Sequence, residues 1–186
     1  MKKSILAVLV AATAVLSGQA FALNTAQVVI HGKVTDANNS CDVTPGGAIT
    51  GGTVVLDDIT DATANQLANN TLSPAHAKDI VYKVENCMNA GVPATGLKVT
   101  VTGTNSTSND ILDNEAAAPA AGVGLGMTRN SARVKFDGSA ASTMTEAYTV
   151  GTPTILTYKV SYVKLPGATV TKGDVKGVAT FTITYP

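Results

Sequence analysis

The sequence contains no tryptophan, and aromatic residues make up only 4% of its 186 positions. Aromatic side chains form the surfaces on which sugars and nucleic-acid bases stack, so their scarcity argues against a binding cleft of that kind. The chain has 13 basic and 13 acidic residues and no basic cluster. It therefore lacks the positive surface by which proteins recognise nucleic acid, and we expect no nucleic-acid partner.

Histidine is also scarce, with only His31 and His76 in the chain. His31 falls on the polar side of a predicted strand and His76 falls in a loop, so we interpret both as exposed and uninvolved. A sandwich of the copper–zinc dismutase type would need a histidine cluster that this chain does not contain. Neither a GxSxG elbow nor an HExxH motif occurs. We therefore predict no catalytic residue, no metal site, no cofactor and no enzymatic activity.

Two short segments superficially resemble binding motifs. Gly122–Gly126 is rich in glycine like a phosphate loop, but Met127 stands where the third glycine of that motif belongs, so we interpret the segment as a strand. Asp57, Asp58 and Asp61 could suggest a calcium site. Their spacing matches no calcium loop, and we interpret them as a solvated acidic turn.

One long run without charge occurs, and it lies at the start of the chain. Lys2 and Lys3 precede the uncharged residues 4–18, and Ala20-Phe21-Ala22 follows as a small-x-small cleavage site. This is the pattern of a secretory signal peptide, residues 1–22. The alternative, a membrane anchor, would need about 20 strongly apolar residues. We expect a soluble, mildly acidic mature protein of one domain that begins at Leu23 and is exported.

The chain has two cysteines, Cys41 and Cys87, and both belong to the predicted mature protein. In an exported protein such a pair predicts a disulfide, which would stabilise the fold by about 4 kcal/mol for a loop of this length. A metal site or a reactive thiol is the alternative. The absence of a CxxC motif argues against both.

Apolar and polar residues alternate with period two throughout the mature chain, which predicts β-strands. The signal for a helix is limited to a short turn around Ala62–Asn69, and turn-forming residues such as Pro45–Gly47 and Asn89–Gly91 separate the strands. One apolar face per strand indicates two antiparallel sheets packed face to face, an all-β sandwich. The predicted strands are residues 28–34, 53–56, 80–85, 97–102, 123–128, 132–137, 156–162 and 177–186.

The last predicted strand stays apolar on one face up to the penultimate residue. Val178 and three threonines occupy its other, solvated face. A strand of this kind requires a neighbour that covers its edge. The residues of its apolar face are Gly177, Ala179, Phe181, Ile183 and Tyr185.

Taken together, these segments resemble the fimbrial subunits of the bacterial chaperone–usher pathway, in particular type 1-like pilins. The resemblance covers nearly the whole mature chain, although Asp57 replaces a glycine that is usual in the family's Val-x-Leu-Gly strand. The signal peptide, the cysteine pair and the tyrosine next to the last residue occur in the family's order. The segments that carry the resemblance are Ile30–Val34, Thr53–Ile59, Ile80–Cys87, Ala132–Gly138 and Gly177–Tyr185.

The resemblance implies an immunoglobulin-like β-sandwich that lacks its final strand and is completed by donor-strand complementation. The terminal strand would border an open apolar groove. A periplasmic chaperone would fill that groove first and hold the terminal carboxylate with basic residues, and at the outer-membrane usher the next subunit would replace it. The groove residues implied are Gly177, Ala179, Phe181, Ile183, Tyr185 and Pro186.

The donor segment implied by the resemblance is residues 23–34, with the pilin domain at 35–186. Val28, Ile30 and Val34 would enter the groove of another copy, and Gly32 would pass over a bulky core residue. A second interpretation stays open, in which residues 28–34 form the first strand of the chain's own sheet. The boundary between donor and first strand is not fixed by the sequence.

Two functions follow from these patterns. The first is a structural subunit of a cell-surface fimbria that polymerises with other subunits and serves adhesion, with a host or surface receptor as a further possible partner of the fibre. The second is a self-complete secreted β-sandwich that binds a ligand. Export through the periplasm is expected in the first case.

Overall fold

A computed structural model of the protein describes residues 26–32, 40–140 and 143–185. The described chain folds into two open β-sheets with a buried apolar layer between them. The first sheet has six strands, which are, in spatial order, β11 (Thr143–Ala147), β8 (Gly96–Thr102), β13 (Val175–Thr184), β1 (Ala26–Gly32), β4 (Thr53–Leu56) and β3 (Ile49–Thr50).

The second sheet has five strands, and a separate two-stranded hairpin follows β5. The described strand pairs are antiparallel, with the exception of β1 and β13, which run parallel. The second sheet consists, in spatial order, of β10 (Ala132–Arg133), β9 (Val123–Arg129), β12 (Thr154–Lys164), β5 (Lys78–Glu85) and β2 (Asp42–Gly47), and the hairpin of β6 (Met88–Asn89) and β7 (Val92–Pro93).

The hairpin turns at Ala90 and Gly91, which both have positive φ angles. The turn predicted at Asn89–Gly91 is thus confirmed, and Val92 on the returning strand is 61% exposed. Two positive φ angles in a two-residue turn give the twist that suits a tight hairpin. The hairpin lies outside both sheets.

The predicted alternation places one face of each main strand in the core. On β5 and β12 the alternate residues Ile80, Val84, Leu156 and Tyr158 are buried. Across the sandwich the ring of Phe181 lies 5.0 Å from the ring of Tyr158. Such aromatic pairs add stability beyond the area that they bury. The predicted all-β sandwich is confirmed.

The disulfide between Cys41 and Cys87 is also confirmed. Cys41 immediately precedes β2 and Cys87 follows the end of β5, and these two strands pair with Asp42 opposite Glu85. The pairing of the strands therefore brings the two thiols together. The backbone N–H of Cys87 in addition donates a hydrogen bond to the Tyr148 hydroxyl at 3.1 Å.

The predicted short helix is present as α1 (Asp61–Gln66). The Thr60 hydroxyl accepts a hydrogen bond from the Thr63 N–H at 3.1 Å and so caps the helix start. Asp61 lies in the first turn, where a negative charge suits the helix dipole. A 3₁₀ turn follows at Pro74–His76. Within the described residues, no helix has the length and apolar character to cross a membrane.

The prediction of a turn at Pro45–Gly47 is wrong, because these residues belong to β2. Pro45 pairs with Tyr82 of β5, and β2 lies at the edge of the second sheet. Proline is tolerated in an edge strand, since no outer neighbour requires its missing N–H. The proline and glycines, which are typical of turns, therefore led to a turn being predicted where the chain forms a strand.

The strand predicted at 132–137 is only partly present. Ala132 and Arg133 pair with β9 in the second sheet, whereas Asp137 forms an isolated bridge with Thr102 in the first. Between them the chain crosses from one sheet to the other. Val134 and Phe136 are buried as the alternation predicted, because they face the core during this crossing.

The interpretation of His76 as exposed and without a partner is wrong. Its Nδ1 lies 2.8 Å from the Ser73 hydroxyl, and its ring meets the edge of the Tyr162 ring at 6.0 Å. The 3₁₀ turn brings Ser73 and His76 together. His31 lies on β1 beside Thr180, and its side chain is outside the described part of the structure.

Candidate assembly site

The terminal strand β13 has different neighbours along its two halves. Residues 175–181 pair in parallel with β1, and residues 180–184 pair antiparallel with β8. On the side away from β1, the first half is held by the loop 113–120, where the N–H of Glu115 donates to the carbonyl of Lys176 at 2.7 Å. The expected open groove beside β13 is thus occupied, in a single chain, by residues 26–32.

The register of β1 and β13 places large residues beside small ones. Val28 lies beside Gly177, Ile30 beside Ala179, and Gly32 beside Phe181. Val28 is fully buried, and burial of a valine side chain stabilises a protein by about 1.5 kcal/mol or more. A close-packed core favours such alternation of volumes.

The structure brings together only some of the site residues predicted from the sequence. Six of them lie on the paired strands: Val28, Ile30 and Gly32 on β1, with Gly177, Ala179 and Phe181 on β13. Ile183 and Tyr185 are half-buried and pack against the core beyond the end of this pairing. Val34 and Pro186 lie outside the described residues.

β1 is the first described strand in the chain and lies between β13 and β4. Its removal would leave the facing edges of both strands without backbone partners and would expose the residues that Val28 covers. Unpaired apolar strand edges are the places where sheets recruit a further strand. The site is therefore a position in the first sheet that one β-strand must fill.

A cavity of about 510 Å³ lies at the end of the sandwich where β1 and β13 begin. No sequence pattern predicts this cavity, because its walls come from segments far apart in the chain. It is lined by residues of α1 and the turn before it, by β9 and β12, and by the loop before β13. The lining residues are Asp58, Ile59, Thr60, Asp61, Ala64, Ala120, Val123, Tyr162, Val170, Thr171, Lys172, Gly173 and Val175.

The side chain of Asn65 fixes one wall of this end cavity. Its Nδ2 donates to the carbonyls of Asp61 at 2.8 Å and Val170 at 2.9 Å, and its Oδ1 accepts from the N–H of Val170 at 2.8 Å. One amide thus joins α1 to the loop before β13. The wall is preformed, since the hydrogen bonds hold both segments by their backbones.

Asn114 fixes the start of β13 in a similar way. Its Nδ2 donates to the carbonyls of Ala120 at 3.0 Å and Asp174 at 2.7 Å, while its Oδ1 accepts from the N–H of Lys176 at 2.9 Å. Gly173 passes so close to Ala120 that a side chain there would collide with the backbone. The start of β13 is therefore held in place by its flanking loop.

Tyr162 closes the inner side of the end cavity. Its hydroxyl donates to the carbonyl of Asp57 at 3.0 Å. Burial raises the pKa of Tyr162 above its ordinary value, and the negative charges of Asp58 and Asp57 raise it further. The phenol is therefore a neutral hydrogen-bond donor under ordinary conditions.

A buried polar cluster, centred on Arg129, lies inside the sandwich. Arg129 forms an ion pair with Glu146 at 2.9 Å, which links β9 of the second sheet to β11 of the first. Its guanidinium also lies 5.3 Å from the centre of the Tyr158 ring. Burial raises the pKa of Tyr158 to about 12, although the charge of Arg129 opposes this rise. This cluster closes one side of the sandwich.

The described residues contain no group of three or more histidine, cysteine, aspartate or glutamate side chains that could hold a metal ion. Two features of the described residues have the geometry of a binding site, the strand position beside β13 and the end cavity. The first accommodates a β-strand and the second a small group. Both lie at the start of β13.

Comparison with solved structures finds the same fold in several pilus proteins. A type I fimbria protein of Burkholderia pseudomallei is 21% identical with a TM-score of 0.52, over 87% of this chain and 94% of that one. A subunit from a chaperone–usher pilus structure is 24% identical with a TM-score of 0.51, over 84% and 92%. The CupB6 tip adhesin of Pseudomonas aeruginosa is 20% identical with a TM-score of 0.50. These likenesses establish the fold.

The match with the tip adhesin includes 66% of this chain. It spans about a third, 33%, of that longer protein. A comparison with the curated proteins finds no match. The model of the fimbrial protein family, in contrast, matches residues 28–186. The protein belongs to the fimbrial protein family.

Family membership confirms the resemblance to chaperone–usher pilins that the sequence indicated. The protein is a structural subunit of a fimbria, exported to the cell surface and associating with other fimbrial subunits. The family implies a role without catalysis.

Proposed function

We propose that the subunit polymerises by donor-strand exchange and that residues 23–34 are its donor segment. The observation that supports this most is the place of β1. It is the first described strand and fills the position beside β13; all seven of its residues pair with β13, and its first four also pair with β4. The same position in another copy accepts the same segment.

The exchange is favourable because β-augmentation depends mainly on backbone hydrogen bonds. Alternate side chains fix the register, since a slip of one residue would turn Val28 and Ile30 to the other face. In the fibre, Val28, Ile30, Gly32 and Val34 of one subunit fill the groove of its neighbour. The groove is formed by Gly177, Ala179, Phe181, Ile183, Tyr185 and Pro186.

The chain's own β1 competes with any incoming strand. A tethered segment acts at an effective concentration in the millimolar range, so a free subunit fills its own groove faster than a partner does. Assembly therefore requires a factor that keeps the groove available. A chaperone in the periplasm and an usher in the outer membrane supply this, and the finished fibre serves attachment to a surface or host receptor.

The proposal is tested by substitution on the two faces of β1. Ile30→Asp places a charge in the donor position and should abolish fibre formation in cells that carry the assembly machinery, while the subunit still binds the chaperone with its own groove. Val29→Asp is the matched control, because Val29 has the opposite parity and should permit fibres. For both variants, electron microscopy measures fibre formation and co-purification with the chaperone measures chaperone binding. Normal fibres from Ile30→Asp would exclude this donor assignment.

A second function is favoured by the same strand position. Since β1 already fills the site beside β13, the chain could act as a self-complete secreted sandwich that binds a ligand. The intact mature chain distinguishes the two functions when it is incubated with a labelled synthetic peptide of residues 23–34. Under donor-strand exchange the peptide replaces the chain's own β1 and becomes stably bound. If the chain stays a monomer that takes up no peptide, the self-complete sandwich is the better account.

A further inference from the structure

In the described part of the chain, the two main sheets end in four edge strands, and three of these are protected from pairing with a further strand. The edge strands are β11, β3, β10 and β2. β3 and β10 have only two residues each, and β2 contains Pro45, which has no N–H to donate. Short strands and prolines are devices by which proteins keep their sheet edges from recruiting other chains.

The edge strand β11 lacks both of these devices. It has five residues, Thr143–Ala147, and none is a proline. It pairs with β8 on one side, and the described residues provide no backbone partner on its other side. Its single charged residue, Glu146, forms an ion pair with the buried Arg129 at 2.9 Å, so this charge is compensated within the subunit. The outer edge of β11 therefore offers backbone N–H and C=O groups to a further strand.

The outward face of β11 is uncharged and rich in threonine. Thr143, Thr145 and Ala147 share this face, and Thr145 and Ala147 are exposed. The chain's own sheet already contains a threonine pair here, because the Thr143 hydroxyl lies 2.9 Å from that of Thr100 on β8. Cross-strand threonine pairs stabilise antiparallel sheets. The strand thus offers a partner the same kind of contact that it makes with β8.

A second copy of β11 fits this edge. Two copies that pair antiparallel around Thr145 place Thr145 opposite Thr145, Thr143 opposite Ala147, and Met144 opposite Glu146. No like charges lie directly opposite each other in this register, and such pairs would be destabilising. The contact is isologous, since each copy gives and receives the same backbone hydrogen bonds, and it closes as a dimer.

The exposed charge of Lys98 also permits this contact. Lys98 of β8 is exposed and lies opposite Thr145 in the chain's own sheet. In the paired form the two Lys98 residues are three strand spacings apart, about 14 Å. This distance exceeds the Debye length of about 8 Å at physiological ionic strength, so their repulsion is largely screened.

We propose that β11 is a lateral docking edge at which two subunits pair antiparallel through Thr143–Ala147, so that their first sheets become one continuous sheet. β8 and β13 separate β11 from β1. The pairing therefore leaves the strand position beside β13 unchanged and does not depend on donor-strand exchange. In a fibre it joins subunits side by side.

Cysteine cross-linking of the folded mature chain tests the contact and its register. The chain's own two cysteines are joined in a disulfide, so one introduced thiol per subunit reports the contact. Thr145→Cys should form covalent dimers on mild oxidation, since opposite residues lie about 5 Å apart. Thr143→Cys alone should form few, whereas a mixture of Thr143→Cys and Ala147→Cys chains should form them. Thr44→Cys on the protected edge strand β2 is the matched control and should give about tenfold less dimer than Thr145→Cys.

Sedimentation velocity at rising protein concentration measures the same association without a cross-link. Thr145→Lys places two ammonium groups opposite each other and should raise the dissociation constant of the dimer about fivefold. Thr145→Val keeps the shape of the side chain and should retain the dimer. Because Thr145 is exposed, both variants should fold, and urea denaturation checks this.

Four results would overturn the proposal. Thr145→Cys could form no more dimer than Thr44→Cys, or Thr143→Cys could form as much, because contact without register is not strand pairing. The chain could stay monomeric at every concentration. A dimer that Thr145→Lys leaves unchanged would place the contact elsewhere, for instance at the strand position beside β13. None of these results bears on the donor segment, so the two proposals can fail separately.

Discussion

The two sheets of this sandwich are built in different ways. The second sheet consists of antiparallel strands in the middle of the chain, and a disulfide joins β2 to the end of β5. The first sheet depends at its centre on β1, the first described strand, which pairs in parallel with β13. The difference indicates a division of tasks. The second sheet and its disulfide secure the fold, while the centre of the first sheet is, under the proposed donor-strand exchange, the position whose occupant changes.

This comparison predicts that β1 opens locally while the second sheet opens only when the whole domain unfolds. The largest effect should follow from breaking the second sheet's covalent link. Cys41→Ser together with Cys87→Ser should lower the free energy of unfolding by about 4 kcal/mol. Urea denaturation measures this loss. The yield of subunit should fall, but the subunits that fold should assemble with normal efficiency. A specific assembly defect in folded subunits would contradict the division of tasks.

A smaller effect is expected at high pH, and it should be specific to the core. Tyr158 has a folded pKa of about 12 because of burial, against an ordinary value of about 10. Because ionisation of the phenol is harder in the folded than in the unfolded chain, the contribution of Tyr158 to stability is fully present below pH 10. This contribution is lost as the pH rises through 12. We expect a loss of about 2 kcal/mol between these pH values from this residue.

The pH effect is measured by urea denaturation at a series of pH values. Tyr158→Phe serves as the control, since it keeps the ring against Phe181 and removes the titrating group. The slope of stability against pH should be shallower in this variant. An unchanged slope would mean that the alkaline loss arises elsewhere, for instance at Tyr82 or Tyr162, whose pKa values burial also raises.

The smallest effect is expected from β1 itself. Val28→Ala removes two methyl groups from a fully buried side chain and should lower stability by about 1–2 kcal/mol. Val29→Ala, on the half-buried opposite face, should cost about 0.5 kcal/mol or less. In Val28→Ala, hydrogen exchange should become faster mainly at the amides of β1. Equal losses in both variants would contradict the register in which Val28 faces the core.

The sequence predicted the parts of the fold that depend on local periodicity. β12 follows directly from alternation of apolar and polar residues, β4 from a short apolar run after two glycines, and the disulfide from cysteine number and export. β11 was missed because Thr143–Ala147 contains little alternation. That strand is defined by its pairing with β8 and by the ion pair from Glu146 to Arg129, which only the folded chain brings together.

The residues of the candidate site could be predicted from the sequence, whereas their arrangement in space could not. Alternation identified Val28, Ile30 and the apolar face of β13, but it carries no information on whether two strands belong to one chain or to two. The end cavity was not predictable at all. Its walls join segments as distant as Asn65 and Val170, and their contact depends on a side-chain amide of a residue that is unremarkable in sequence.

The β6–β7 hairpin has a practical consequence for the use of such fibres as scaffolds. Its turn at Ala90 and Gly91 projects from a small sheet of its own, and Val92 beside it is mostly exposed. Peptides inserted between Ala90 and Gly91 would therefore leave the strand pairing of β1 and β13 unchanged. Since each subunit carries one copy of the β6–β7 hairpin, a polymer would present the inserted epitope once per subunit, as a dense and regularly spaced array.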